Sequence, residues 1–190
     1  MGDDQLLLDS LRRRMRAMHS LYYDAVATMD LGHVNHFERE GVLPIAFCLF
    51  HYTNMQDTSF AVISGTELVW SADWQARVQM AIDDHGKERP VSDMIHQRIG
   101  DYDAFREYQR AVFSRTEAWL EDLQAEAVRR VLIPRPLPDV VANTYSARVA
   151  GDEGITVLDA LECWIYQHGL RHMGEIELAR GLVGLGGMTS

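Results

Sequence analysis

The sequence predicts an all-α protein, an antiparallel bundle of four long helices in a single domain spanning residues 1–190. Along four long segments, apolar residues recur in alternating steps of three and four, which places them on one face of a helix. The five prolines lie between these segments or at the first turn of one of them, where a helix tolerates them. A length of 190 residues is also typical of one domain with one core.

The first two helices have clear limits in the sequence. Helix one is predicted from about Asp4 to Met29. Helix two is predicted to begin near Pro44 and to end at Gly65, because proline suits a first turn and glycine a helix end. Their apolar stripes are Leu8, Leu11, Met15, Met18, Tyr22, Ala25 and Met29 in helix one, and Cys48, His51, Met55, Thr58 and Val62 in helix two.

Helices three and four are also predicted to be long. Helix three is predicted from about Tyr102 to Val131, where three closely spaced prolines stop it. Helix four is predicted from about Thr156 to Gly181 or Gly184. Their stripes are Phe105, Tyr108, Val112, Thr116, Trp119 and Leu123 in helix three, and Leu158, Leu161, Ile165, His168, His172, Glu175, Ala179 and Leu182 in helix four.

Two long connectors join the later helices. The stretch 66–101, between helices two and three, is long enough to cross the bundle from end to end and is expected to contain a short helix near residues 74–82. The stretch 132–155, between helices three and four, is expected to be extended around residues 140–145 and to have room for a short strand.

Composition and charge exclude several classes of protein. A hydrophobic fraction of 47% and a charged fraction of 24% are typical of a globular chain, and two cysteines are too few for a disulfide scaffold. No apolar run reaches the roughly 18 residues of a transmembrane helix. The net charge of −10 argues against nucleic acid and anionic membrane as partners. The acidic start of the chain, unlike a basic secretory signal, predicts a cytoplasmic location.

Polar side chains occupy stripe positions where a bundle core normally holds leucine. His168, His172 and Glu175 follow one another on the stripe of helix four, and His51 lies in the middle of the stripe of helix two. Because unpaired buried polar groups cost about 1–3 kcal/mol each, a shared metal ion is the simplest explanation. Three imidazoles suit zinc, nickel, copper or iron, and they leave a coordination position open, as in catalytic sites.

The spacing alone is weak evidence for a metal site. With eight histidines in the chain, chance gives on the order of 0.3 pairs four residues apart. The alternative is that His168 and His172 are core or interface histidines bonded to carboxylates such as Glu162 and Glu175. Two known metal motifs are excluded. The zincin motif needs Glu where this chain has Gly169, and no Glu stands three residues before any histidine, as di-iron bundles require.

The residues around these histidines resemble a known family. The stretch Tyr166–Ile176 resembles the helix-four signature of the DinB/YfiT-like superfamily, His-x-x-x-His-x-Gly-Gln-Ile, and Pro44–His51 resembles the signature that carries the family's third ligand. The order of the histidines and the long crossover also match, and the resemblance covers nearly the whole chain. One departure is Glu175, where the family usually has Gln.

The resemblance implies a fold, a cofactor and a class of activity. It implies a bundle of up-down-down-up topology in which His51, His168 and His172 bind a divalent metal, most often zinc or nickel. Many members are homodimers. Characterised members include mycothiol- or bacillithiol-dependent S-transferases and the mycothiol-dependent maleylpyruvate isomerase, and others are described as metal-dependent hydrolases.

We therefore expect a metal-dependent enzyme, an S-transferase or an isomerase, that uses a low-molecular-weight thiol, mycothiol or bacillithiol, to react with a small electrophile. A cation lowers the pKa of a bound thiol and so favours the nucleophilic thiolate. The alternatives are a hydrolase with metal-activated water and a non-enzymatic metal-binding module. Glu175 is the predicted catalytic residue, as a base or by orienting a ligand ring. Asp57 and Tyr22 are weaker candidates, and a core aromatic explains Tyr22 more simply.

The other five histidines receive structural interpretations. His33 and His36 fit a solvated loop better than a second metal pair, and the remaining three, His19, His85 and His96, are expected at the surface.

The cysteines and the crossover tryptophans are interpreted in the same way. Cys48 and Cys163 are taken as small buried thiols, so any thiol chemistry requires a cosubstrate. Trp70, Trp74 and Arg77 in the crossover either cover the site and touch substrate or simply pack on the bundle.

Overall fold

A computed structural model describes residues 2–188 and is mostly helical, as predicted. The predicted domain limits at residues 1 and 190 lie outside the described residues. The α-helices are α1 (Asp3–Ala27), α2 (Leu31–Val34), α3 (Ile45–Ser64), α4 (Ala72–Val78), α5 (Val91–Met94), α6 (Tyr102–Asp122), α7 (Asp139–Ala142), α8 (Tyr145–Val149), α9 (Val157–Ala160) and α10 (Gln167–Leu182). A π-helical segment, Leu161–Tyr166, joins α9 to α10, and a 3-10 helix spans Ala125–Arg129. Strands β1 (Val131–Pro134) and β2 (Gly154–Thr156) pair antiparallel, with Val131 opposite Thr156.

Local signals set most ends of the long helices. Helix α3 begins after Pro44 and ends at Gly65, whose φ of 72° glycine adopts without strain. Asp101 caps α6 by accepting a backbone hydrogen bond, and Thr156 forms a capping box with Asp159 at the start of α9. The predicted limits of helices one, two and four therefore agree with the structure to within about two residues.

Helix three and the second connector differ from the prediction. Helix α6 ends at Asp122, nine residues before the predicted end, because the chain turns away to pair β1 with β2. Residues 140–145 are not extended. Helix α7 begins directly after Pro138, and Thr144 caps α8 by accepting a backbone hydrogen bond. The short strands lie instead at the two ends of the connector, where they satisfy each other's backbone groups.

The core lies between the four long helical stretches. Helix α1 packs against α6 and α10, and α3 packs against α6, the π-helical segment and α10. Helix α3 is buried on nearly all sides, so its predicted stripe is not its main core face, and the stripe residue Val62 is 59% exposed. Within residues 2–188, no helix is both long and apolar enough to cross a membrane.

Candidate metal centre

The three predicted ligands lie together between α3 and α10. One ring nitrogen from each of His51, His168 and His172 lies within 4.8 Å of the other two. The Nε2 atoms of His168 and His172 are 2.9 Å apart, and the ring centroid of His51 lies 5.5 Å and 4.8 Å from those two rings. His51 is buried and the other two are half-buried. The structure thus brings all three residues together, and the ion they would bind stays a prediction.

Gly169 allows α10 to approach the other helices closely enough to form this cluster. A Cβ at this position would overlap the sulfur of Met18 on α1 and lie 2.6 Å from the hydroxyl oxygen of Tyr52 on α3. The carbonyl of Gly169 accepts a hydrogen bond from the buried hydroxyl of Tyr22 at 2.8 Å. The hydroxyl of Tyr22 therefore bonds to the backbone, which agrees with its interpretation as a core aromatic.

Hydrogen bonds select the ring nitrogen that two of the histidines present to the site. Nδ1 of His172 donates to Oε2 of Glu175 at 2.7 Å, and Nδ1 of His51 donates to the backbone carbonyl of His85. Because a carboxylate and a carbonyl only accept hydrogen bonds, each ring keeps its proton on Nδ1. In the neutral form of each ring, Nε2 is then an unprotonated lone-pair donor, as metal ligation requires.

Burial keeps two of the imidazoles neutral. Desolvation lowers the pKa of His51 to about 4. Desolvation, with the neighbouring imidazoles and Arg171, lowers the pKa of His168 to about 3. The hydrogen bond from His172 holds the pKa of Glu175 below its ordinary value. Two neutral imidazoles and an ionised carboxylate are the protonation states that favour binding of a cation.

The donor set fits a divalent metal ion. Tetrahedral zinc with imidazole nitrogens at about 2.0–2.1 Å holds those nitrogens about 3.3 Å apart. In this cluster, the closest pair of imidazole nitrogens is 2.9 Å apart, and all three nitrogens lie within 4.8 Å of one another. The observed distances therefore bracket that separation. A cation would accept every lone pair that converges here, and with three protein ligands it would keep a position open.

Glu175 lies behind His172, on the side away from the other two imidazoles. Its carboxylate accepts from Nδ1 of His172 and lies 3.7 Å from Sγ of Cys48. It therefore acts on the cluster through His172 and holds that ring in place, while its predicted role as a base stays a prediction. Cys48 is a free, buried cysteine, and burial raises the pKa of its thiol, in agreement with its structural interpretation.

Asp57 contributes to a different part of the molecule. Its buried carboxylate accepts hydrogen bonds from the backbone N–H groups of Val69 at 3.0 Å and Trp70 at 2.8 Å, and from the hydroxyl of Tyr108 at 3.4 Å. Arg115 lies 3.8 Å away as an ion-pair partner. Although burial raises the pKa of Asp57, these bonds anchor the start of the crossover. The structure gives Asp57 this anchoring role and no contact with the histidine cluster.

A cavity of about 510 Å³ opens beside His51 and His168. One wall comes from α3, the π-helical segment and α10, and the facing wall comes from α7 and α8 of the second connector. Trp164 forms part of the wall, where its indole N–H donates to Ser146 at 2.9 Å. π-Helical turns are rare, and those that occur often lie at functional sites. This one places Trp164 in the cavity wall, one turn before His168. Apolar periodicity gives no sign of it.

Of the two interpretations of Trp70, Trp74 and Arg77 in the crossover, the structure favours packing on the bundle. Trp70 and Trp74 pack against the ring of Tyr108, with centroids 4.8 Å and 5.7 Å away, and Arg77 stacks on Trp74. None of the three lines the cavity, so the packing alternative holds for them. The crossover contributes Lys87 instead, a residue for which the sequence gave no functional signal.

His19 is fully buried, which corrects its prediction as a surface residue. Its Nδ1 donates to Glu117 at 2.6 Å, and its Nε2 accepts from the amide of Gln56 at 3.0 Å. The ring also stacks on Phe113 with centroids 4.1 Å apart. Because these partners satisfy both ring nitrogens, the histidine is stable in the core.

The remaining histidines lie nearer the surface. His36 and His96 are exposed, as predicted. His33 is half-buried and accepts a hydrogen bond from the backbone N–H of Asp30, which closes a capping box on α2. His85 is also half-buried, and its carbonyl orients His51. The surface prediction for His85 is therefore only partly right, because a contact made through the backbone leaves no trace in residue type.

No family model matches the chain, and no curated protein matches it. One solved structure with a similar fold is described as the crystal structure of the conserved protein of locus from Enterococcus faecalis. It has 13% sequence identity and a TM-score of 0.72, over 97% of this chain and 99% of that chain. At this identity the likeness shows the fold alone. The resemblance to the DinB/YfiT-like superfamily stays a prediction.

Proposed function

We propose that this protein is a divalent-metal-dependent enzyme of the DinB/YfiT-like superfamily that uses a low-molecular-weight thiol, as an S-transferase or an isomerase. The proposal includes an up-down-down-up four-helix bundle, a homodimer, and zinc or nickel held by His51, His168 and His172. The observation that carries it is the convergence of three imidazoles, two of them with their ring nitrogens fixed, beside a cavity of about 510 Å³.

Some residues of the site would bind the metal and the substrate, and others would orient the metal ligands. A bound divalent cation would lower the pKa of a coordinated thiol, such as mycothiol or bacillithiol, and favour its thiolate. His51 and His172 would present Nε2 to the cation, while the His85 carbonyl and Glu175 hold their rings in place. The cavity beside His168 would hold the electrophile and exclude water from the side of Trp164.

The hydrolase alternative lacks a suitable base at the cavity. Activation of a bound water normally needs a general base beside the open position. Among the described residues, none of those that line the cavity is a carboxylate. Glu175 instead bonds to His172 and lines a separate cavity of about 290 Å³ with Cys48 and Leu178. This arrangement favours the thiol hypothesis, because a thiol is far more acidic than water and, when bound to a cation, would lose its proton to solvent without such a base.

Elemental analysis of protein purified without a histidine tag tests the metal proposal. We expect one zinc or nickel ion per chain, lost in His168→Ala and in His172→Ala. His36→Ala removes an exposed imidazole that is not part of the cluster and should keep the ion. If the wild type holds no metal, and added zinc or nickel changes its melting no more than that of His168→Ala, the metal proposal is wrong.

Turnover assays separate the three functional hypotheses. A panel of small electrophiles is offered with mycothiol, bacillithiol or glutathione, and a set of esters and amides is offered without thiol. Consumption that rises and saturates with thiol concentration supports the transferase or isomerase. Thiol-independent hydrolysis supports the hydrolase. A full metal complement with no turnover on either panel supports a non-enzymatic module. Light scattering of the same preparations tests the homodimer.

A further inference from the structure

The cavity beside His51 and His168 has a charge opposite to that of the protein as a whole. The chain carries 28 acidic and 18 basic residues, for a net charge of −10. Yet the charged side chains that line the cavity, among the described residues, are the cations Lys87 and Arg171. Lys87 is also the only lysine in the sequence. A cleft lined by charges of one sign attracts ligands of the other sign.

Neither of these two cations forms a direct ion pair within the described chain, although Arg171 lies near enough to Glu175 to help lower the pKa of that carboxylate. The ion pairs formed among residues 2–188 involve neither Lys87 nor Arg171. By contrast, Arg89 pairs with Asp84 at 2.6 Å, only two residues from Lys87. The two cavity cations therefore keep their capacity to bind an external anion.

The position of Arg171 connects this charge to the candidate metal centre. Arg171 lies three residues after His168 on α10, so the two side chains share one face of that helix. Both line the cavity, together with apolar side chains such as Met55 and Trp164. A volume of about 510 Å³ falls within the range of about 300–1,000 Å³ that is typical of small-molecule sites. An apolar wall with cations at its edge suits a ligand with an apolar body and an anionic group.

We propose that the electrophilic substrate of this site is a small organic carboxylate. Its apolar body fills the cavity, and its carboxylate pairs with Arg171 and Lys87. The guanidinium of Arg171 matches a carboxylate with two parallel hydrogen bonds, and Lys87 adds a second point of positive charge. This inference rests on the proposed function in treating the cavity as the substrate site, and it adds the class of substrate.

The test compares a carboxylate probe with a neutral probe of the same shape, 1-naphthaleneacetate and 1-naphthaleneacetamide. Binding is followed by calorimetry and by the change in tryptophan fluorescence, since Trp164 lines the cavity. We expect the acid to bind about tenfold more tightly than the amide. Arg171→Gln should weaken binding of the acid about two- to fivefold, as for exposed ion pairs. The double variant with Lys87→Gln should lose the preference for the acid. Arg13→Gln, which removes the same charge from an exposed position of α1, should leave it unchanged.

Each other outcome has a defined meaning. Equal binding of both probes, or a preference for the acid that survives the double variant, overturns the inference. A preference lost in His168→Ala but kept in Arg171→Gln shows that the carboxylate binds a metal instead, and also overturns it. Metal-stripped protein that still prefers the acid through Arg171 supports the inference even if the metal proposal fails. Protein that holds a metal but binds neither probe overturns the inference and leaves the proposed function intact.

A second copy of the chain is the remaining occupant to exclude. Val140 lines the cavity and is 76% exposed. If light scattering shows a dimer that Val140→Asp dissociates, and the wild type binds neither probe, the cavity mouth is a subunit interface and the inference is overturned.

Discussion

Replacement of Gly169 by alanine tests the packing that brings the histidines of α10 to α3. A Cβ at this position would overlap the sulfur of Met18 and lie 2.6 Å from the hydroxyl oxygen of Tyr52 and 2.7 Å from its Cζ. The Met18 side chain can move aside, but the Tyr52 ring is held by stacking on Tyr22 at 4.6 Å and by donating a hydrogen bond to Gln56 at 2.7 Å. Overpacking of this kind costs about 1–3 kcal/mol. The better helix propensity of alanine recovers at most about 1 kcal/mol.

We therefore expect Gly169→Ala to lower the free energy of unfolding by about 1–2 kcal/mol, and the melting temperature by about 2–8 °C. Urea denaturation followed by circular dichroism measures the first, and a thermal scan the second. Gly174→Ala is the matched control, since it lies on the same helix with no atom within 4 Å of its added Cβ. It should raise stability by up to about 1 kcal/mol. If Gly169→Ala is as stable as Gly174→Ala, the close approach of α10 does not depend on the glycine and the packing argument is refuted.

Three further predictions concern the polar groups of the core and the cluster. Glu175→Ala should lower affinity for zinc or nickel about 10–100-fold in a chelator competition, because His172 loses the acceptor that orients its ring, and Glu175→Gln should lose less. His19→Leu should lower the free energy of unfolding in urea by about 1–3 kcal/mol, since it removes one hydrogen bond to the buried Gln56 and one to the half-buried Glu117, and an unchanged value would contradict a structural role for this histidine. In metal-free protein, His51 and His168 have folded pKa values of about 4 and about 3, below the 6.5 of the unfolded chain. The unfolded state then binds more protons than the folded state. The free energy of unfolding is therefore highest above pH 6.5, and it falls toward pH 4 by up to about 1.4 kcal/mol per pH unit for each of the two histidines. Denaturation in chelator across this range should show that slope, and His168→Asn should make it shallower.

Local signals explain which parts of the fold could be predicted from the sequence. Pro44 and Gly65 mark the ends of α3 through their own backbone preferences, and both ends agree with the structure. The end of α6 depends instead on β1 pairing with β2, which lies beyond the whole second connector. Periodicity within a helix carries no information about the pairing of two distant strands. The end of helix three was therefore predicted too late, at Val131.

The histidine cluster was predictable because it rests on types of residue at stripe positions. The apolar stripe of α3 was assumed to face the core. This was only partly right, because Val62 is exposed and His51 and Met55 face a cavity. The convergence of the imidazoles followed even so, because polar groups on facing helices need a common partner wherever the core lies. Lys87 could not be found in this way, since it reaches the cavity from the crossover. Trp164 is a large apolar residue at helical spacing from Leu161 and His168, so its position gave no signal that distinguished it from a core residue.

The carboxylate of Glu175 accepts a hydrogen bond from His172 with a charged oxygen. In the family that the sequence resembles, the usual residue at this position is glutamine, which could accept the same bond only with a neutral oxygen. Glu175 is exposed enough to stay ionised at little cost, and its hydrogen bond from His172 lowers its pKa further. A charged acceptor on Nδ1 makes Nε2 of His172 a stronger donor than a neutral amide would. A stronger donor would hold a divalent cation more tightly and leave that cation less able to polarise a fourth ligand. Glu175→Gln should therefore weaken metal binding and, in protein reloaded with metal, lower the pKa of a thiol bound at the open position. A weaker metal affinity combined with an unchanged or raised thiol pKa would show that Glu175 does not act through His172.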